Sequence, residues 1–240
     1  KVTIFKPLAG ADEDLWENLS SFSSLDYPDY EIVIGVASWT DKAAPVARRF
    51  RASNPHLRIK IVRTDPKAAT NPKVSQLVGM THKARGEIFV VSDSNVRVAR
   101  DYLRAIVAEL SRPGVGLTSN LFVGTGERSL GAMLENLQVS ASIMPTLVAA
   151  STVAGEVLTV GKSMSMWRAP LEAIGGFESV ASVLAEDHVL GKAFERAGYT
   201  VTLCPSLVEN RNVRCGLKRT YERHSRWAKM RRMLATCPQY

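Results

Sequence analysis

Ile88-Phe89-Val90-Val91-Ser92-Asp93-Ser94-Asn95 decides how the rest of the chain is read. Four apolar residues in succession, three of them β-branched, make a strand buried on both faces, and such strands belong to parallel sheets. The run ends on a carboxylate. Upstream, Val2–Lys6, Glu31–Ala37 and Leu57–Arg63 read as strands of the same kind, with Glu87–Ser92 the fourth and Val115–Val123 following. Between them Asp12–Phe22, Ala43–Ala52, Pro72–Ala84 and Asp101–Leu110 carry apolar residues at helical spacing, and Pro72 suits a first helical turn. Strand–helix alternation predicts an α/β fold, a mainly parallel central sheet flanked by helices.

Sheets of this type bind ligands at the carboxyl ends of their strands. That directs attention to Lys6-Pro7-Leu8-Ala9-Gly10, Ser38-Trp39-Thr40-Asp41 and Asp93-Ser94-Asn95. No GxGxxG follows a strand and no GxxxxGK[ST] occurs, so neither a dinucleotide fold of the usual type nor a P-loop is expected.

Beyond Gly124 the pattern changes. A long helical stretch covers Leu130 to Ala150, and short strands are expected near Glu156–Val160 and Ser163–Trp167. Ala185-Glu186-Asp187 opens a helix running to Ala197, Tyr199–Leu203 reads as a strand, and Leu217–Leu234 as a last helix. With no linker or repeat, one domain over 1–240 is expected, with 1–124 a nucleotide-type half and 125–240 a more variable half. Asn136–Gly155 is uncharged and about as long as a membrane span, but its Asn, Gln, Ser, Thr and Pro content predicts a buried or interfacial segment instead.

The 240 residues are 45% apolar and 22% charged, a globular composition that excludes disorder, coiled coil and collagen. Three cysteines without CxxC spacing argue against a disulfide scaffold or zinc ribbon and fit a reducing compartment. The chain begins at Lys1, which reads as a piece cut from something longer. Its net charge of +8 is local. From Glu209 to Arg232, nine basic residues face two acidic ones, leaving +7 there and +1 elsewhere. A bound diphosphate, an anionic membrane surface or nucleic acid would each explain the cluster, as would a merely solvated helix face.

Asp93 at a strand end can hold a divalent cation against a diphosphate, since carboxylate oxygens suit Mg²⁺ or Mn²⁺. Asp187 sits at a helix start, where the dipole stabilises its charge. Local sequence leaves a plain capping role open for both. In Arg223-His224-Ser225-Arg226-Trp227, helical spacing lets two guanidinium groups and an indole share a face, fitting phosphate and a sugar's apolar side. A basic amphipathic helix with Trp227 packed inward fits the same spacing.

Taken together, these segments resemble the GT-A glycosyltransferases with a D, D, D, (Q/R)xxRW pattern, and among them the ceramide glucosyltransferase-like family (glycosyltransferase family 21 type). The resemblance rests on Lys6-Pro7-Leu8-Ala9-Gly10, Leu25-Asp26-Tyr27-Pro28 with Tyr30-Glu31, Asn71-Pro72-Lys73-Val74, Asp93-Ser94-Asn95 with Arg97-Val98, Gly175-Gly176, Ala185-Glu186-Asp187 and Arg223-His224-Ser225-Arg226-Trp227. It spans nearly the whole chain.

The resemblance implies an inverting transfer of a hexose, glucose foremost, from a UDP-sugar to a membrane lipid hydroxyl such as that of ceramide. It implies donor contacts from Lys6, Pro7, Asp41, Lys73 and Asp93, with Asp41 at the nucleoside and Lys73 near the phosphates or ribose. It further implies a Mg²⁺ or Mn²⁺ ion on Asp93 and Asn95, Asp187 as general base, and Arg223, Arg226 and Trp227 lining the diphosphate and acceptor site. Asn95 replaces the second aspartate of a DxD motif, and His188 follows Asp187 where an aromatic is more usual. The partners implied are the donor, a lipid acceptor and an anionic membrane surface on the cytoplasmic side, not nucleic acid, with flanking transmembrane segments outside this chain. A hopanoid-type or polysaccharide-synthase-type transferase, or a basic binding module without catalysis, is the rival expectation.

Overall fold

The computed structural model describes residues 1–11, 13–153 and 155–236; Asp12, at the start of one predicted helix, and Cys237 lie outside them. Among the described residues eight strands form one sheet in the order β3-β2-β1-β4-β7-β6-β8-β5. β1 (Val2–Leu8), β2 (Tyr30–Val36), β3 (Arg58–Arg63) and β4 (Ile88–Ser92) are mutually parallel. β7 (Ser163–Trp167) enters antiparallel between β4 and β6 (Val115–Thr125), so the sheet is mixed but mostly parallel. β6 and β8 (Thr200–Arg211) pair in parallel, and the short β5 (Val96–Arg97) closes the edge antiparallel to β8.

The apolar runs of β1, β2 and β4 are buried because both sheet faces are covered. Alternate side chains point to opposite faces. Ile4, Ile32 and Val90 join Leu19, Phe22, Phe50, Tyr102 and Ile106 on the side of α1 (Leu15–Ser20), α2 (Ala43–Ser53) and α4 (Tyr102–Leu110). Phe5, Val33, Phe89 and Val91 join Val74, Leu77, Phe177 and Phe194 on the side of α3 (Pro72–Thr81) and α8 (Glu186–Arg196). α3 lies close over β2 because Gly35 has no side chain. A Cβ there would stand 2.7 Å from Gln76 Oε1, and that amide caps both the N–H and the C=O of Leu8 at the end of β1.

Three expectations need correction. The helix predicted over Leu130–Ala150 is α5 (Leu130–Gln138) and α6 (Met144–Val153), joined by a π-helical turn at Val139–Ile143. The strand predicted at Glu156–Val160 is irregular: Val160 donates its N–H to the Ser119 side chain (3.2 Å) instead of a ladder, and Leu158 and Val160 pack on the core. β8 runs on to Arg211, well past Leu203. Pro205 cannot donate to a ladder, but the register slips between Asn120 and Phe122 of β6, and Asn120 Nδ2 donates to the Ser206 carbonyl (3.0 Å).

The remaining helices are α7 (Arg168–Ala173) and α9 (Leu217–Thr236). Among the described residues no helix is long and apolar enough to cross a membrane.

Candidate active site

Because β7 runs antiparallel to β4, its start faces the end of β4. Ser163 pairs with Ser92, so Gly161 and Lys162 lie against Asp93. α3 starts beyond β3 at the same sheet edge, and the first turn of α8 meets it there. Four segments distant in sequence thus supply one charged cluster.

Lys73 is its hub. The ammonium lies 3.0 Å from Asp93 Oδ1 and 3.1 Å from Glu186 Oε1, and it donates to the Gly161 carbonyl at 2.9 Å, so its three donors are all used. Asn71 caps α3, accepting the Lys73 N–H (3.0 Å), and its own amide donates to Glu186 Oε2 (3.0 Å). Burial alone would lower the Lys73 pKa, but Asp93, Glu186 and Asp187 hold it well above the ordinary lysine value. The second Asp93 oxygen meets Lys162 Nζ at 3.2 Å. For Asp93, burial raises the pKa, and the two lysines outweigh burial and hold the carboxyl below its usual range.

Asp187, the second residue of α8, accepts the Gly161 N–H at 2.7 Å and the His188 N–H at 2.8 Å. Burial, with help from neighbouring Glu186 and against the pull of Lys73, pushes its carboxyl up to about 6. That places it where a carboxylate works as a base near neutral pH. Gly161 is the joint between Lys73 and Asp187. A Cβ there would stand 2.8 Å from Lys73 Nζ and 3.2 Å from Asp187 Oδ2, so a side chain would push the Lys73 ammonium away.

Lys6 lies beneath Asp93 with no solvent exposure. Its ammonium donates to the Asp93 carbonyl (2.6 Å) and Ser92 Oγ (3.2 Å), over the Phe22 ring. Burial lowers its pKa to about 7, against the raising influence of Asp93. Pro7 lies beyond the β1–β4 ladder, which ends at Phe5, so its missing N–H takes nothing from that pairing. Asp41 clasps the loop after β1: Oδ1 accepts the N–H groups of Gly10 (3.0 Å) and Ala43 (2.8 Å), and Gly10 adopts a φ of +70° that glycine tolerates.

The structure brings Lys6, Lys73, Asp93, Asn95 and Asp187 into one contact network. Arg223 does not join that network and pairs instead with Glu135 of α5, a carboxylate only 1% exposed. Trp227 meets His224 edge-on at 5.4 Å, and Arg226 is exposed. The sequence reading overlooked Lys162, Gly161 and the direct role of Glu186 as a partner of Lys73. Only the Gly161-Lys162 pair just before a predicted strand hinted at the first two.

The residues at hand fit a divalent cation. Asn95 is turned by its amide donating to Asn210 Oδ1 (2.9 Å) and the Arg211 carbonyl (3.2 Å). Its Oδ1 therefore faces the point that Asp93 Oδ2 also faces, where the Lys162 ammonium stands in for a cation. One carboxylate and one amide oxygen leave the remaining ligands to a diphosphate and water, the usual manner of Mg²⁺. Among the described residues no group of three or more His, Cys, Asp and Glu side chains forms an all-protein cage.

A mostly parallel α/β sheet with a carboxylate at the end of β4 and a second at the start of α8 defines a GT-A-type glycosyltransferase fold. Solved structures agree. The chain resembles the mannosyltransferase PcManGT from Pyrobaculum calidifontis, solved with GDP-Man and Mn²⁺, at a TM-score of 0.68 and 25% identity over 87% of this chain and 56% of that one. It resembles S. aureus TarS 1-349 in complex with UDP-GlcNAc at a TM-score of 0.57 and 14% identity, over 92% of this chain and 60% of that one, a likeness of fold alone. The family model for glycosyl transferase family 21 matches residues 1–239, and the chain belongs to that family. Ceramide glucosyltransferase 1 of Caenorhabditis elegans is 25% identical over 96% of this chain and 49% of its own length. The chain thus spans about half the length of that curated relative.

Proposed function

We propose that this chain is the catalytic domain of an inverting hexosyltransferase that moves glucose from UDP-glucose to the hydroxyl of a membrane lipid such as ceramide. The observation that carries the reading is the Asp93–Lys73–Glu186 and Lys73–Gly161–Asp187 network at the carboxyl edge of the sheet. It joins a site for a diphosphate and its counter-cations to a carboxylate poised as a base. Family membership and the ceramide glucosyltransferase relative support the class of acceptor.

In this reading Asp187 takes the proton of the acceptor hydroxyl while that oxygen attacks the anomeric carbon from the face opposite the diphosphate. The bond from that carbon to the diphosphate oxygen breaks, and the configuration inverts. Lys162 is the proposed donor to the leaving group, the kind of preorganised stabilisation worth about 3 kcal/mol per donor in other enzymes, and Lys73, its own donors already used, adds its charge. Asp93 and Asn95 would hold Mg²⁺ or Mn²⁺, and such an ion supplies Lewis-acid neutralisation of the diphosphate. Lys6 holds the backbone of Asp93 in place. Asp41 and Pro7 shape the nucleoside end, where Trp39 is exposed. Arg223 fixes α9 to α5, and Arg226 and Trp227, on the next turn, are the proposed lining of the acceptor side.

α5 supports a lipid-facing surface. Its inward face is small and polar, with Gly131, Ala132, Glu135 and Asn136 buried, whereas Leu130, Met133, Leu134 and Leu137 are exposed at i, i+3, i+4 and i+7. α9 adds exposed Leu217 and Tyr221 beside exposed Lys218, Arg219 and Lys229. An apolar stripe rimmed by cations fits the anionic cytoplasmic leaflet. The test is transfer from a panel of UDP-sugars to ceramide in anionic vesicles. One glucose per lipid is expected; an elongating product or failure with every lipid would overturn the reading.

A further inference from the structure

We propose that Lys162 is the resident cation of the Asp93–Asn95 pair, and that it must leave those oxygens for a divalent ion to take them. The inference rests on the reading of this edge as a nucleotide-sugar site and names a residue that the motif does not include.

Lys162 Nζ stands 3.2 Å from Asp93 Oδ2 and 3.4 Å from Asn95 Oδ1, between the two oxygens aimed at the cation position. Its placement is built in. The Lys162 carbonyl accepts the Asp93 N–H at 3.1 Å as β7 joins β4, so main chain and side chain both meet Asp93. Asn95 is pinned from the other side, because the Arg211 N–H also donates to the Asn95 carbonyl at 2.8 Å. Lys73 occupies the remaining Asp93 oxygen, so this carboxylate already faces two positive charges.

A free divalent ion approaching Asp93 must therefore displace an ammonium and meet the field of another. A nucleoside diphosphate changes that balance. Its oxygens offer Lys162 a new anionic partner within reach of a flexible side chain, and its charge offsets that of the ion. Metal and diphosphate then arrive together, with Lys162 passing from Asp93 to the phosphate. Lysine suits this exchange, being a mobile point charge and not a planar fork.

The experiment measures Mn²⁺ binding directly, from the electron paramagnetic resonance signal of free Mn²⁺, on the purified protein without nucleotide and with UDP. In the wild type, UDP should tighten Mn²⁺ binding strongly. Lys162→Gln should bind Mn²⁺ without UDP at least about tenfold more tightly than the wild type, and UDP should add less. Lys162→Met should behave alike, and adding Asp93→Asn to either variant should abolish the gain. Mn²⁺ binding unchanged or weakened in both Lys162 variants would overturn the proposal. UDP binding followed separately by calorimetry distinguishes the two layers: a wild type that ignores UDP defeats the donor-site reading, while the metal titration without nucleotide still judges Lys162.

Discussion

Lys73 and Asp187 meet at one glycine: Gly161 accepts the Lys73 ammonium on its carbonyl at 2.9 Å and donates its N–H to Asp187 Oδ2 at 2.7 Å. Through that residue the start of α3, at the proposed donor end of the site, is coupled to the start of α8, which carries the proposed base. Neither end can shift without moving the segment before β7, and that segment also sets Lys162 against Asp93.

Gly161→Ala is therefore expected to damage the site more than the fold. The added methyl would stand 2.8 Å from Lys73 Nζ and 3.2 Å from Asp187 Oδ2. Lys73 has a flexible stem and can retreat, so global stability should fall by only about 1 kcal/mol, while transfer falls by at least about tenfold. Urea unfolding and steady-state transfer assays on the same preparation check both halves.

Removing the hub itself should do more. Lys73→Met leaves Asp93 without one of its two cations and Glu186 without its ammonium partner, in surroundings where few waters can replace them. Breaking a buried pair costs about 3–5 kcal/mol, and the one-fifth exposure of Lys73 brings the expectation down to about 2–3 kcal/mol. Chemical denaturation tests it, and a midpoint equal to the wild type would show that the network is not part of the fold.

The proposed membrane face makes a separate prediction. Leu134→Glu with Leu137→Glu puts two charges on the exposed stripe of α5 and touches no core residue. Binding to anionic vesicles should drop at least about tenfold, with UDP affinity unchanged. Vesicle cosedimentation beside UDP calorimetry reads this; retained vesicle binding would move the lipid contact elsewhere.

Acid should switch the enzyme off through Asp187. Its carboxyl is pushed up to about 6, and the base must be ionised to accept a proton, so transfer should rise with pH through about 6 and level off above it. The expected profile of kcat/KM, which reports the unliganded protein, has one acidic limb. A limb near the ordinary aspartate value instead would mean that burial does not hold Asp187 as described.

Parts of this site could be read from sequence because they sit at strand and helix ends. Asp93 closes a four-residue apolar run, and Asp187 opens an amphipathic helix. Lys162 could not be read that way. A lysine after glycine looks like any surface lysine until β7 is known to run antiparallel to β4, and that pairing joins residues some 70 positions apart. The pairing of Arg223 with Glu135 is hidden from sequence for a similar reason. Helical spacing groups Arg223 with Arg226 and Trp227, but its partner Glu135 is a buried carboxylate 88 residues away on a helix whose apolar side faces outward. An inverted helix of that kind misleads any reading that places apolar residues inside. β8 extends to Arg211, past the strand expected over Tyr199–Leu203, and the slipped register with β6 accommodates Pro205.

Whether Asp187 is the base of an inverting transfer is decided by the single-turnover rate of Asp187→Asn. With UDP-glucose and ceramide in vesicles, the variant should keep UDP-glucose affinity within a few-fold and transfer at least about 10²-fold more slowly than the wild type, giving the same β-linked product. A variant that transfers at near-normal rate, with the donor bound as before, would contradict the assignment of Asp187 and the mechanism built on it.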